Sequence, residues 1–219
     1  MELHHFDMKI IQNTDSITNY SLFDGQTWQL LKLLRNYVEG QKELKLYVKK
    51  QIKLLVSHIQ EVEYSNNSTM SHFPFEINFK TGERQYTKEF SLSRGDLSVL
   101  ILLYKADKAF GENQNEFVAN TVGNIISKRT EIEPINQNPF IRNGTAGIAQ
   151  CFSTLYNLSN KPFYKEAYEY WISETYRYKT LGFLESNHDD FLDNCEGTNL
   201  TLKTYETEGK VDCSRCKLF

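Results

Sequence analysis

The cysteine side chains are the first candidates for chemistry in this sequence. Cys213 and Cys216 have Cys-x-x-Cys spacing near the C-terminus, and Cys195 and His188 precede them. A structural zinc site usually needs four ligands, and no second Cys-x-x-Cys pair is present. We therefore interpret these residues as free thiols and keep a zinc site of Cys195, Cys213 and Cys216 as the alternative. Cys151 lies on an apolar helical stripe, which predicts a core residue.

Histidine is the usual general base, but the sequence pairs none of its histidines with a nucleophile. Ser-His-Asp and Cys-His catalysis both need a base within hydrogen-bond reach of the nucleophile. No such partner motif can be recognised for the five histidines, which are His4, His5, His58, His72 and His188.

Composition excludes several classes of function. The 219 residues carry 25 Lys and Arg against 28 Asp and Glu, a net charge of −3, without the basic block that nucleic-acid binding requires. No apolar run approaches the roughly 18 residues of a membrane-spanning helix. Residues 1–7 lack the basic and apolar regions of a signal peptide. We expect a cytoplasmic protein with reduced cysteines and no membrane span.

A repeated pattern predicts the architecture. Four segments place a turn and a glycine before an apolar helix, at Gly25, Gly95, Gly144 and Gly197, with spacings of 70, 49 and 53 residues. An amphipathic helix follows each of the first three, over residues 42–60, 116–128 and 162–179. The unit is thus a helical hairpin, with the more apolar helix inside and the amphipathic helix outside.

Residues 73–90 differ from this pattern because apolar residues alternate there around Thr81-Gly82, which predicts a β-hairpin. An isolated hairpin is marginal in water, so we interpret it as an insertion on the helical scaffold. The sequence predicts an all-α fold for residues 1–219 as a single domain, with this one insertion.

Residues 143–149 read Asn-Gly-Thr-Ala-Gly-Ile-Ala and are followed by Leu155-Tyr156 and by Phe-Tyr-Lys-Glu-Ala at 163–167. This stretch resembles the hallmark repeat of the lanthionine synthetase C-like (LanC) family. Four further stretches are similar to other family segments, in the family's order: 21–34, 92–97, 193–197 and 211–213.

The resemblance implies an α/α toroid, a ring of about seven helical hairpins in full-length members. This chain supplies about four hairpins, so the ring that the resemblance implies is incomplete. Active members are cyclases whose zinc, held by two cysteines and a histidine, binds a peptide cysteine and lowers its pKa. The resulting thiolate adds to a dehydroalanine or dehydrobutyrine, and a general acid protonates the enolate.

The three positions that match the family's zinc ligands hold other residues. The cysteine positions fall on Ser93 and Arg142, and the histidine position falls on Asn143. Arg142 cannot lose its charge and would repel a dication. The family's further active-site histidine has no counterpart. Asp96 matches the family position after the glycine and is a candidate catalytic residue, although capping the next helix is the favoured role.

Three functional hypotheses follow. The first is a zinc-free, non-catalytic LanC-like protein that binds a precursor peptide or dehydratase, and that docks on a partner or on itself through open ring ends. The second is an active zinc-dependent cyclase, with metal held by Cys195, Cys213 and Cys216 or completed by a partner chain. The third is a carbohydrate-active toroid enzyme using Asp189-Asp190 or Glu131 and Glu133, carboxylates that are more simply solvated.

Overall fold

The computed structural model describes residues 17–60, 70–181 and 190–207, which form seven α-helices and three short strands. The predictions for His4, His5, His188, Asp189, Cys213 and Cys216 lie outside these ranges. In chain order the elements are β1 (Ile17–Asn19), α1 (Gln26–Val38), α2 (Leu44–Val56), β2 (Glu76–Asn78), β3 (Arg84–Gln85), α3 (Asp96–Phe110), α4 (Glu116–Ile126), α5 (Thr145–Ser159), α6 (Pro162–Thr180) and α7 (Cys195–Glu206).

The predicted helical hairpins are confirmed. Helices α1 and α2, α3 and α4, and α5 and α6 pack as consecutive pairs. Each odd-numbered helix also packs on the next odd-numbered helix, so that α1, α3, α5 and α7 follow one another through the core. Helix α3 is buried on nearly every side, as its continuous apolar run predicts. Burying each Leu side chain contributes roughly 1.5–3 kcal/mol, so α3 anchors the array.

The even-numbered helices bury one face only. Helix α2 buries Leu44, Val48, Ile52 and Leu55, which recur at helical spacing, and it carries its lysines on other faces. Pro162 occupies the first turn of α6, where its missing N–H costs nothing.

The predicted β-hairpin is confirmed and gains a third strand. Strands β2 and β3 pair antiparallel, and Gly82 in their connection has φ +75°. Strand β1 pairs antiparallel with β2, with Thr18 opposite Ile77, whose side chain is buried. The sequence did not predict β1, because three residues are too few for alternation to be recognised.

The fourth repeat has a different register from the predicted one. Helix α7 begins at Cys195 with Asn194 as its N-cap, so Gly197 is the third residue of the helix rather than the residue before it. Asn194 has φ −131° and ψ 176°, close to the values of −118° and −169° at Gly144, the N-cap of α5. Asn194 is therefore the structural counterpart of Gly144, and Gly197 is the counterpart of Gly147.

Close approach of the preceding loop explains these glycines. A Cβ at Gly144 would lie 2.5 Å from the Asn138 carbonyl oxygen, six residues earlier. A Cβ at Gly147 would lie 1.7 Å from the Ile141 carbonyl oxygen, and one at Gly197 would lie 2.4 Å from that of Phe191. Helices α5 and α7 thus start in contact with backbone from their own loops, which leaves no space for a Cβ at these three glycines.

We predict that Gly147→Ala destabilises the fold by about 1–3 kcal/mol, the usual cost of overpacking a core position. The Ile141 carbonyl is backbone and cannot move aside as a flexible side chain would. Urea unfolding measures the change, with Asn157→Ala on the exposed side of the same helix as the control. Equal stability of the two variants would contradict the close approach.

Candidate functional site

The loops before the inner helices meet at one end of the array. The Leu22 N–H before α1 donates to the Ser93 carbonyl before α3, over 2.9 Å. The Ile141 and Arg142 N–H groups before α5 both donate to the Leu192 carbonyl before α7, at 3.0 and 2.9 Å. A side-chain hydrogen bond joins the two middle loops, so the four turns form a continuous polar centre.

Ser93 and Asn143 make that middle connection. The Ser93 hydroxyl donates to the Asn143 side-chain carbonyl, and it also lies 3.1 Å from Glu89 Oε1 and 3.0 Å from Ser91 Oγ. Asn136 donates through Nδ2 to the Asn143 backbone carbonyl over 2.7 Å. Two of the three residues that the sequence resemblance matches to zinc ligands, Ser93 and Asn143, are therefore in direct contact with each other.

Arg142, at the third position, is held by carboxylates from the loop before α7. Its Nε donates to Asp193 Oδ2 over 2.7 Å, and its Nη2 donates to Asp190. Its guanidinium also lies 4.9 Å from the centre of the Phe23 ring. The hydrogen bond to Asp193 raises the pKa of Arg142, so the side chain is permanently charged. Asp190, which the sequence offers together with Asp189 as a candidate catalytic carboxylate pair, is here an ion-pair partner of Arg142.

Asp96 does not cap its own helix, so that prediction is wrong. No side-chain hydrogen bond caps α3. Instead, the Asp96 carboxylate accepts the backbone N–H groups of His72 and Phe73, at 2.9 and 3.0 Å, and lies 2.9 Å from His72 Nδ1. Asp96 thereby fastens the segment that leads into β2 onto the start of the central helix.

His72 is a residue of this site that the sequence did not predict. It is 24 positions from Asp96 and belongs to a different element, so no spacing signal connects them. A carboxylate at Nδ1 orients an imidazole and fixes its tautomer, as it does in catalytic dyads. However, His72 is 5% exposed and its Nε2 atom is buried without a hydrogen-bond partner. The pair is thus sealed from solvent, and a catalytic role for Asp96 stays a prediction.

The donor atoms at the centre do not fit a zinc ion. Zinc requires thiolate, imidazole or carboxylate ligands, and Ser93, Arg142 and Asn143 provide a hydroxyl, a guanidinium and an amide. No three His, Cys, Asp or Glu side chains in the described ranges are grouped so that they could hold a metal ion.

The two described cysteines belong to helices α7 and α5 rather than to the loops that form the polar centre. Cys195 is half-buried at the first residue of α7. Cys151 is fully buried in α5, as its apolar stripe predicts, and burial raises the pKa of its thiol. The Cys151 thiol is therefore protonated and inaccessible at neutral pH.

Comparison with known proteins adds no family assignment. A scan against protein-family models gives no match, and a search of curated proteins gives no significant match. In the part of the chain that the structure describes, none of the helices has the length and apolar character needed to cross a membrane.

We predict that Asp96→Asn lowers the free energy of unfolding by about 2 kcal/mol. The amide group replaces one oxygen that accepts hydrogen bonds in a buried site, and a buried donor left unsatisfied costs about 1–3 kcal/mol. Chemical denaturation measures this loss. Glu83→Gln, an exposed carboxylate change in the β2–β3 connection, should stay within about 0.5 kcal/mol of the parent.

A double-mutant cycle that combines Asp96→Asn with His72→Phe measures the interaction energy between the two side chains separately from their other contacts. Because both residues share one interaction, the combined loss should be smaller than the sum of the single losses by about 1 kcal/mol. Strictly additive losses would mean that the two side chains do not depend on each other.

Proposed function

We propose that this chain is a zinc-free LanC-like protein that binds a peptide or protein of a thioether-peptide pathway without cyclising it. The fold proposal is an α/α toroid segment, an incomplete ring of helical hairpins. Packing of each inner helix on the next, with their N-terminal ends at a shared centre, supports that arrangement.

One observation carries the proposal. At the positions where the resemblance requires metal ligands, Ser93 bonds to Asn143, and Arg142 is paired with Asp190 and Asp193. Every one of these side chains therefore has a protein partner. A dication would have to displace these contacts and also lie beside a guanidinium that cannot be neutralised.

Without zinc, the step that activates the peptide thiol is absent, whereas the helical scaffold is retained. Zinc acts in such a reaction by converting a peptide thiol into a thiolate at neutral pH. An unassisted cysteine has a pKa near 8.5 and is mostly protonated at pH 7. The described residues around the centre include no group placed to replace that activation. The function that remains is binding, with a precursor peptide or its dehydratase as the proposed partner, in the cytoplasm.

Zinc content is the test of this proposal. We predict that the purified full-length chain contains far less than one zinc per molecule by elemental analysis, also after incubation with zinc and desalting. About one zinc per chain, lost on substitution of Cys195 or Cys213, would favour the active-cyclase hypothesis instead.

Restoring the family's ligands provides the converse test. The triple variant Ser93→Cys, Arg142→Cys, Asn143→His should gain zinc affinity, because it replaces the unsuitable donors with two thiolates and an imidazole. Its matched control substitutes Ala at the same three positions, which breaks the same contacts without adding ligands. Zinc binding by neither variant, with both folded by circular dichroism, would contradict the placement of these residues at a former metal site.

The neighbouring genes test the proposal that the chain binds a peptide of a thioether-peptide pathway. A neighbouring precursor peptide and dehydratase would allow direct binding measurements, with the expectation of a complex whose peptide thiols stay free. Formation of a thioether by the chain alone would overturn the non-catalytic assignment.

A further inference from the structure

Positive charge is concentrated in the first helical hairpin. Residues 26–57, which span α1 and α2, contain seven Lys and Arg and two Glu, whereas the whole chain has a net charge of −3. An imbalance of this size in one hairpin creates a positive surface on an otherwise acidic protein.

The tip of this hairpin is an ordered cluster of aromatic rings and lysines. The Tyr37 and Phe110 rings meet edge to face, with centroids 5.0 Å apart. Lys42 Nζ lies 4.4 Å from the centre of the Tyr37 ring, and Lys45 Nζ lies 5.3 Å from that of Phe110. Rings and alkyl stems packed in this way give a pre-ordered surface, which reduces the entropy lost on binding.

Glu112 holds the neighbouring lysines in place. Its carboxylate contacts Lys45 Nζ at 2.9 Å and Lys49 Nζ at 2.7 Å, and hydrogen bonding to Lys49 lowers the pKa of Glu112. One carboxylate shared by two lysines leaves a positive charge uncompensated. The cluster therefore attracts a further acidic group.

An exposed stripe on α2 continues from this tip. Leu46, Lys50 and Lys53 are exposed at i, i+4 and i+7 positions, which share one helix face. Leu46 is 79% exposed and Val38, beside Tyr37, is 63% exposed. Lys50 and Lys53 make no ion pair with any residue in the described ranges. We call Val38, Lys42, Leu46, Lys50 and Lys53 the basic hairpin face.

We propose that the basic hairpin face binds an acidic amphipathic helix of a partner protein. Charge complementarity selects the acidic partner, because the face presents lysines that lack carboxylate partners. Leu46 and Val38 supply the apolar contacts that an amphipathic helix places at i, i+3 and i+4 spacing. This face lies on the hairpin tip and on α2, so the inference does not depend on the polar centre or on its lack of zinc.

The probe is a fluorescein-labelled peptide of about five helical turns with leucines on one face and glutamates on the rest. Fluorescence anisotropy with the full-length chain should show saturable binding that weakens severalfold when salt rises from about 50 to about 300 mM, because exposed charges are screened. A matched peptide with every glutamate replaced by lysine should bind at least tenfold more weakly.

Paired substitutions locate the contact. Leu46→Ser with Lys50→Glu should weaken peptide binding at least tenfold. The control pair, Ile135→Ser with Lys128→Glu, makes the same chemical changes at exposed positions outside the face and should leave binding unchanged. Both pairs are verified as folded by thermal unfolding before binding is measured.

Four results would overturn the proposal. Equal binding of the glutamate and the lysine peptides would show that charge does not select the partner. Equal weakening by the two variant pairs would show that the peptide does not bind at the basic hairpin face. Tighter binding to phosphatidylglycerol vesicles than to the acidic peptide would assign the face to a membrane surface. Concentration-dependent association of the chain that Leu46→Ser abolishes would assign it to a second copy.

Discussion

The structure depends on the close approach between the first turn of each inner helix and the loop that precedes it. At Gly25, Gly95 and Gly144 the carbonyl oxygen six residues earlier lies within 2.7 Å of where a Cβ would be. At these three positions the contact requires a residue without a side chain, whereas Asn194, the N-cap of α7, accepts hydrogen bonds from the N–H groups of its own first turn. This constraint fixes where each helix starts, and with it the position of every polar side chain in the loops.

The polar centre is a consequence of that geometry. Loops held against helix starts lie close enough to exchange backbone hydrogen bonds. Ser93 of one repeat bonds to Asn143 of the next, and Arg142, beside Asn143, pairs with Asp193 from the loop before α7. The chemistry of these side chains then determines what the polar centre can bind. The hydroxyl and the amide bond to each other and the guanidinium pairs with carboxylates, and none of the three is a ligand type that zinc prefers.

The two ends of the first hairpin have opposite chemical character. At the loop end, Phe23 covers the guanidinium of Arg142, which pairs with the carboxylates of Asp190 and Asp193. At the tip, Lys42 and Lys45 lie over aromatic rings, and a single Glu112 serves two lysines. The Arg142 pairs connect two loops of the fold, whereas the uncompensated positive charge at the tip is available to a partner.

The sequence by itself determined the helical hairpins, the β-hairpin insertion and the absence of zinc-type donors at residues 93, 142 and 143, because periodicity and side-chain chemistry are local properties. Only the tertiary structure decided that His72 pairs with Asp96, and that Asp193 pairs with Arg142 across 51 positions. It also placed the start of α7 at Cys195. These features depend on which loops the packed helices bring together, and no local pattern contains that information.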